Sequence, residues 1–209
     1  MDQSKKEEFW NALTHGIGAL LSMVGLVYLL QQDSHKTAYS TLSIWIYGLS
    51  AFLLFSISTV YHAVTNIGKK TFLRKLDHIS IYFLIAGTYT PVCLISLESG
   101  SGWSFFWTVW GIAAVGLILK LFFTGKFEYL SLLLYLAMGW LIVFDVKNLM
   151  AALSKPELLY LVMGGLFYTI GIVFYAIKKI PYHHVIWHFF VLGGAISHYF
   201  MVLSLVLNF

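Results

Sequence analysis

Residues 40–62 read STLSIWIYGLSAFLLFSISTVYH, a run that lacks Asp, Glu, Lys and Arg altogether. A helix built from such a run can span the hydrocarbon core of a bilayer, which requires about 20 predominantly apolar residues. The rest of the chain has the same character, because 59% of its 209 residues are hydrophobic and 11% are charged. Soluble domains carry about 25% charged residues. The sequence therefore predicts an integral membrane protein and excludes a soluble globular domain.

Six further apolar runs, bounded by charged or turn-forming residues, have the length of a membrane span or come close to it. The seven predicted spans cover residues 10–30, 40–62, 79–97, 103–123, 129–144, 158–177 and 185–207. The fifth is the shortest and lies between Glu128 and Asp145. Pro91 is expected to kink or end the third helix. The predicted fold is an all-α bundle of seven transmembrane helices that occupies residues 1–209 as a single domain.

Most basic residues fall on one side of the seven-span arrangement. Of the 13 Lys and Arg residues, this side holds Lys5, Lys6, Lys69, Lys70, Arg74, Lys75, Lys120, Lys126, Lys178 and Lys179. The other side holds only Lys36, Lys147 and Lys155. Because Lys and Arg concentrate in cytoplasmic loops, the sequence predicts a cytoplasmic N-terminus and an extracytoplasmic C-terminus. The net charge of +4 thus reflects membrane topology, and we expect no nucleic-acid partner.

Histidines dominate the polar residues near the membrane. The chain has eight histidines and a single cysteine, Cys93, so neither a disulfide framework nor a cysteine-based zinc site is expected. Six histidines fall, with Asp77, at the predicted cytoplasmic ends of the spans. These six are His15, His62, His78, His183, His184 and His188. Ionisable residues within membrane segments are costly and are functional candidates by default, so the clustering predicts a shared polar site.

The most specific local pattern is the pair His184 and His188, because residues four apart lie on one face of a helix and can bind one metal ion. His62 is the candidate third ligand, and Ser58 lies on the same face of its helix. Three histidines leave the fourth position of zinc for a water, whose pKa the metal lowers to about 7. Asp77 is then expected to accept the proton of that water or to orient it. Asp77 and Ser58 are the candidate catalytic residues.

Purely structural interpretations exist for the same residues. Two histidines four apart can serve packing and backbone hydrogen bonding alone. Asp77 precedes an apolar run, where a helix N-cap is expected, and the Ser58 hydroxyl can donate back to the Leu54 carbonyl. His78 and His183 are expected at the membrane interface.

Two more histidines have expected roles in hydrogen bonding. His15 follows Asn11 and Thr14 near the predicted start of the first helix and is a candidate hydrogen-bonding residue there. His198 lies about 15 Å further along its helix than His188. That distance is too large for a shared metal ion, so we expect His198 to make a buried hydrogen bond.

Several spaced motifs resemble those of the haemolysin III family, the bacterial branch of the progestin and adiponectin receptor family. The motifs are Glu8 through Asn11 to Gly18, Ser58–His62, Leu76–Tyr82, Ala86–Pro91, and His184–His188 with His198. The resemblance implies seven helices, a cytoplasmic N-terminus and a Zn²⁺ ion held by His62, His184 and His188, with Ser58 and Asp77 beside it. The same five positions are similar to those of alkaline ceramidases, in which a zinc-activated water cleaves a lipid amide.

Three functions are compatible with these residues. The first is a zinc-dependent hydrolase of a lipid amide or ester bond, with membrane lipids as partners and a substrate that enters from the bilayer. The second is a pore-forming haemolysin, although a conducting path usually has ionisable groups through the membrane depth, and here most of them gather at one end, with only His198 deeper. The third is a membrane-homeostasis receptor or sensor with structural zinc. All three place the protein in the cell membrane as a multi-pass protein.

Overall fold

The computed structural model describes residues 3–207, and these residues form helices joined by short loops, without any strand. Eight α-helices follow one another along the chain. They are α1 (Lys5–Gln31), α2 (Ser40–Ala63), α3 (Ile67–Pro91), α4 (Gly102–Phe123), α5 (Glu128–Gly139), α6 (Val146–Ala152), α7 (Lys155–Ala176) and α8 (His183–Val206). A π-helical turn, Val92–Ser96, extends α3, and a 3₁₀ turn, Leu141–Asp145, joins α5 to α6. The all-α prediction is confirmed.

Within the described range, seven helical segments are long and apolar enough to cross a membrane. They are Lys5–Gln31, Ser40–Ala63, Ile67–Ser96, Gly102–Phe123, Glu128–Ala152, Lys155–Ala176 and His183–Val206. The prediction of seven spans is therefore confirmed, with α5, the 3₁₀ turn and α6 together forming the fifth. The third segment is the central one, since 78% of its most apolar window is buried inside the bundle.

The third span begins well before the predicted residue 79. The Asn66 side chain accepts a hydrogen bond from the Lys69 backbone N–H at 3.0 Å and caps a helix that starts at Ile67. The polar residues at its start therefore form helical turns that precede the apolar run. Asp77 lies inside α3, so its interpretation as an N-cap is wrong. The α-helix ends at Pro91, as predicted, and continues as the π-helical turn.

The fifth span is longer than the predicted range 129–144, because helical structure continues past Asp145 to Ala152. Asp145 does not end the span, since its carboxylate is satisfied locally: it accepts hydrogen bonds from the Ser101 hydroxyl and, at 2.7 Å, from Asn148 Nδ2. A charge with partners near the end of a span is tolerated at that depth. Hydropathy alone predicts that the span ends at this charge, because it takes no account of the hydrogen bonds that Asp145 accepts.

The bundle brings four chain segments to one end of the molecule. The start of α1, the end of α2, the start of α3 and the start of α8 meet there through side-chain contacts of Glu8, His62, Lys70 and His188.

Small residues permit close helix packing. At Gly116, for example, a Cβ atom would lie 2.5 Å from the Tyr82 ring, so α4 approaches α3 closely at this point.

Candidate metal centre

Three histidines from two helices converge at this end of the bundle. His62 lies at the end of α2, and His184 and His188 lie in the first turns of α8. One ring nitrogen from each of the three lies within 4.8 Å of those of the other two. These are the three residues that the sequence predicts as metal ligands, and the fold brings all three together.

The hydrogen bonds of two of these rings indicate which nitrogen is left for a metal. His62 Nδ1 lies 2.7 Å from a Glu8 carboxylate oxygen, and His188 Nδ1 lies 3.2 Å from the Asn11 carbonyl oxygen. Both partners only accept, so each Nδ1 carries the hydrogen and each Nε2 keeps a free lone pair. His62 Nε2 is buried and has no hydrogen-bond partner among the described residues. This arrangement, with the second nitrogen held by a carboxylate or carbonyl, is typical of metal-binding histidines.

Glu8 connects three helices at the centre. Its second carboxylate oxygen lies 2.8 Å from Lys70 Nζ on α3, while the first contacts His62 on α2. Apart from its place in a family motif, nothing in the sequence assigns Glu8 a role, because it belongs to the charged run KKEE that is typical of a solvated helix start. Its spacing of three and four residues from Asn11 and Thr14 does place it on the same face of α1 as the site.

His15 lies inside the cluster without belonging to the three-nitrogen group. Its ring stacks on that of His188, with ring centroids 3.5 Å apart and an interplanar angle of 5°. Both of its ring nitrogens are buried without a hydrogen-bond partner in residues 3–207. The expected hydrogen-bonding role at a helix start is therefore wrong, and His15 instead packs face to face against a candidate ligand.

Ser58 and Asp77 lie beside the histidines, on the wall of the same cavity as His184 and His188. The Ser58 side chain faces the Asp77 carboxyl group. The back-bond from Ser58 to the Leu54 carbonyl does not occur in the described chain. The neighbouring Thr59 makes a bond of this type instead, donating to the Phe55 carbonyl at 2.7 Å. The fold therefore brings both predicted catalytic residues next to the three histidines.

The remaining histidines have separate environments. His78 is buried in the bundle, and its Nδ1 has no hydrogen-bond partner in the described part of the chain. Its position at the membrane interface stays a prediction. His183 is half-buried, with Nδ1 3.2 Å from the Phe174 carbonyl oxygen. His198 Nε2 lies 3.2 Å from the Leu161 carbonyl oxygen, which confirms the predicted buried hydrogen bond.

A cavity of about 390 Å³ extends from the histidines into the bundle. Its wall is mostly apolar and is built largely from α3, α5, α7 and α8. Four of its lining residues, Val143, Val146, Met150 and Val162, are also exposed on the outer surface of the bundle. Val143 is 52% exposed and Met150 is 63% exposed. The cavity therefore reaches the lateral surface, beside the fifth span and α7.

Seven membrane-spanning segments around an apolar cavity, with three converging histidines at one end, define a class of multi-pass membrane protein with a candidate metal centre. The chain belongs to the haemolysin III family, since a family model described as "Haemolysin-III related" matches residues 3–199. The fold and the family together make it a multi-pass protein of the cell membrane.

Relatives match the chain over nearly its whole length. The Hemolysin-3 homolog of Bacillus subtilis (strain 168) is 45% identical over 199 residues, covering 95% of this chain and 93% of the relative. Hemolysin-3 of Bacillus cereus is 43% identical over 208 residues, covering 99% and 95%. The human monocyte to macrophage differentiation factor is 32% identical over 205 residues, covering 92% and 81%. The human relative is a member of the progestin and adiponectin receptor family.

Proposed function

We propose that this protein is a zinc-dependent hydrolase that cleaves an amide or ester bond of a membrane lipid. The observation that carries the proposal is the position of three metal-competent histidine nitrogens, within 4.8 Å of one another, at the polar end of an apolar cavity that Ser58 and Asp77 also line. A metal centre and a lipid-compatible cavity in direct continuity are what such a reaction requires.

The residues present fit zinc. Imidazole nitrogen is a common zinc ligand, and three histidines are an established catalytic set. The unpartnered His62 Nε2 supports the assignment, because a buried acceptor without a partner is costly unless a ligand satisfies it. When bound, zinc polarises a carbonyl group and lowers the pKa of a water to about 7. Glu8 and the Asn11 carbonyl would hold two of the three rings in the required orientation.

The neighbouring side chains supply the proton chemistry. Asp77 would take a proton from the water that attacks the carbonyl carbon, and would return it to the nitrogen or oxygen of the leaving group as the amide or ester bond breaks. Ser58, which faces this carboxyl group, would donate a hydrogen bond that keeps Asp77 oriented. The products are a carboxylic acid and an amine or alcohol, so atoms and protons balance.

The cavity supports a lipid substrate that enters from the bilayer. Its lining residues Val143, Val146 and Met150 are exposed on the lateral surface, where they would contact acyl chains. A substrate chain that enters here would remain in an apolar environment until its polar linkage reaches the histidines. Membrane lipids are therefore the proposed partners.

Metal analysis joined to lipid mass spectrometry tests this function. Purified protein is expected to hold about one zinc per chain, and His188→Ala should lose it, whereas His35→Ala, in an exposed loop, should keep it. Asp77→Asn should keep the zinc and lose turnover on a panel of lipid amides and esters. Protein that hydrolyses lipid equally well without zinc would contradict the proposal.

Two Bacillus relatives carry the name Hemolysin-3, so a pore is the second candidate function. Dye leakage from liposomes distinguishes the two. Leakage that is unchanged in His62→Ala and His188→Ala would favour a pore independent of the metal, whereas leakage that disappears with turnover would follow from lipid hydrolysis.

If the protein is a receptor or sensor with structural zinc, we expect neither lipid hydrolysis nor liposome leakage. In that case chelation would lower the unfolding temperature of the bundle, and wild-type protein would release no lipid product and leave liposomes intact.

A further inference from the structure

Lys120 lies in the last turn of α4, and its side chain is directed into the bundle. It continues the buried face formed by Val109, Ala113 and Gly116, the face that packs on α3. Lysines near the ends of membrane helices normally extend their ammonium group outward to the water interface. Lys120 does not, because only 2% of the residue is exposed. This burial requires an explanation other than membrane topology.

The ammonium group of Lys120 makes no direct ion pair in the described part of the chain. Within residues 3–207, no carboxylate lies within 4.0 Å of its Nζ, and no side-chain hydrogen bond involves this atom. Glu128, at the start of α5, lines the same cavity and attracts Lys120 at longer range, but its carboxylate contacts Arg74 and lies 3.9 Å from Lys178 Nζ. Burial of an unpaired charge costs several kcal/mol. A buried lysine in this state is stabilised by any anion that can reach it.

The surface available to Lys120 is the cavity of the proposed active site. Among the buried polar side chains that line this cavity, His78 of α3 and Ser131 of α5 are close to Lys120. His78 Nδ1 has no hydrogen-bond partner in the described chain. The three side chains come from α3, α4 and α5, whereas the candidate metal ligands come from α2 and α8. The cavity therefore has a second polar region, built from different helices.

We propose that Lys120, His78 and Ser131 form a binding site for the oxyanion of an anionic amphiphile, a carboxylate or phosphate whose apolar tail occupies the cavity. Lys120 would supply the charge, and the His78 imidazole would supply a hydrogen bond. The Ser131 hydroxyl, which donates to the Phe127 carbonyl oxygen at 3.3 Å, would rotate to donate to the anion instead. An amphiphile fits better than a free anion, because most of the wall is apolar and reaches the lateral surface. This inference deepens the proposed function by making the lipid class anionic, although anion binding itself requires no turnover.

Binding measurements on the full-length protein in a non-ionic detergent test the site. Four probes are compared by calorimetry: hexadecyl phosphate, hexadecanoate, hexadecanol and inorganic phosphate. Hydrogen bonds to charged groups contribute about 1.5–3 kcal/mol, so Lys120→Met should weaken the binding of the two anionic amphiphiles about tenfold to a hundredfold. It should leave hexadecanol unaffected, and the control Lys179→Met, an exposed lysine outside the cavity, should bind all four probes as wild type does.

Unfolding temperatures provide a second measurement. Because Lys120→Met removes a buried charge that makes no direct ion pair, the ligand-free variant should be at least as stable as wild type, and hexadecyl phosphate should raise the unfolding temperature of wild type only. Equal affinity of wild type and Lys120→Met for both anionic amphiphiles would overturn the proposal, as would a variant that is destabilised and still binds them. Inorganic phosphate bound as tightly as hexadecyl phosphate would overturn the assignment to an amphiphile.

The two proposals fail in different ways. The Asp77→Asn variant should bind hexadecyl phosphate as wild type does, even though we expect no turnover from it. Normal anion binding without any hydrolysis in wild type would leave the Lys120 site standing and contradict the hydrolase. Normal hydrolysis by wild type, together with unchanged anion binding in Lys120→Met, would support the hydrolase and contradict the Lys120 site.

Discussion

The Glu8 carboxylate lies 2.7 Å from His62 Nδ1 and joins the first turns of α1 to the last turn of α2. Its other oxygen contacts Lys70 at 2.8 Å, so a charged chain runs from α3 through α1 to a candidate metal ligand. In metal sites, carboxylates in this position fix the orientation of the ring and strengthen it as a ligand. Glu8 therefore orients one of the three candidate ligands from outside the group.

Replacement of Glu8 should weaken metal binding without removing a ligand. Loss of an outer-shell partner lowers metal affinity about 10–100-fold, and we expect Glu8→Gln to weaken zinc binding by this factor in competition with a chelator. The matched control is Glu7→Gln, because Glu7 contacts Ser4 and the Tyr182 N–H instead of a histidine. Equal zinc affinity in Glu8→Gln and Glu7→Gln would show that the contact has no such role.

His15 should prove to be a packing partner and not a ligand. Its ring stacks on His188, so His15→Phe keeps a flat ring against the site, whereas His15→Ala leaves a void. We expect both variants to retain zinc. Removal of a buried ring in His15→Ala should lower the free energy of unfolding by about 1–3 kcal/mol. Loss of zinc from the His15→Phe protein, measured by metal analysis, would identify His15 as a ligand instead.

Helix packing around His198 gives a test of the fold. A Cβ atom at Gly164 would overlap the His198 ring, whereas a Cβ atom at Gly111 on α4 would have no other atom within 4 Å. Gly164→Ala should therefore destabilise the bundle by about 1–3 kcal/mol through overpacking. Gly111→Ala should be neutral or stabilising, since alanine favours helix by about 1 kcal/mol. Thermal unfolding in detergent compares the two, and equal stability would contradict the close contact between α7 and α8.

The predicted orientation in the membrane can be checked by cysteine labelling. The native Cys93 is fully buried and should not react, so a single introduced cysteine reports its own side. Lys6→Cys should react with a membrane-impermeant maleimide only after the cells are opened, and Lys36→Cys should react in intact cells. The reverse pattern would place the N-terminus and the histidine cluster outside the cytoplasm.

The sequence predicts the parts of this protein that depend on local properties. Seven spans follow from apolar runs, since burial of about 20 apolar residues in lipid does not depend on which helices are neighbours. The pairing of His184 with His188 follows from helical periodicity. His62, Ser58 and Asp77 follow from their common depth in the seven-span arrangement, and the fold brings all five residues to one place.

Only the tertiary structure decides which face of each helix points into the bundle and which side chains of different helices contact each other. Glu8 belongs to a charged run that predicts a solvated helix end, and Lys120 stands alone near the end of an apolar run, where a lysine is expected to extend to the water interface. The rotation of α1 and α4 turns both side chains inward. In the sequence, Asp145 resembles the end of a span. In the structure, its carboxylate accepts hydrogen bonds from Ser101 and Asn148, and the helical segment continues past it. The physical reason is that hydropathy and spacing are summed along one segment, whereas the partners that stabilise a buried charge come from other segments, which only packing brings into contact.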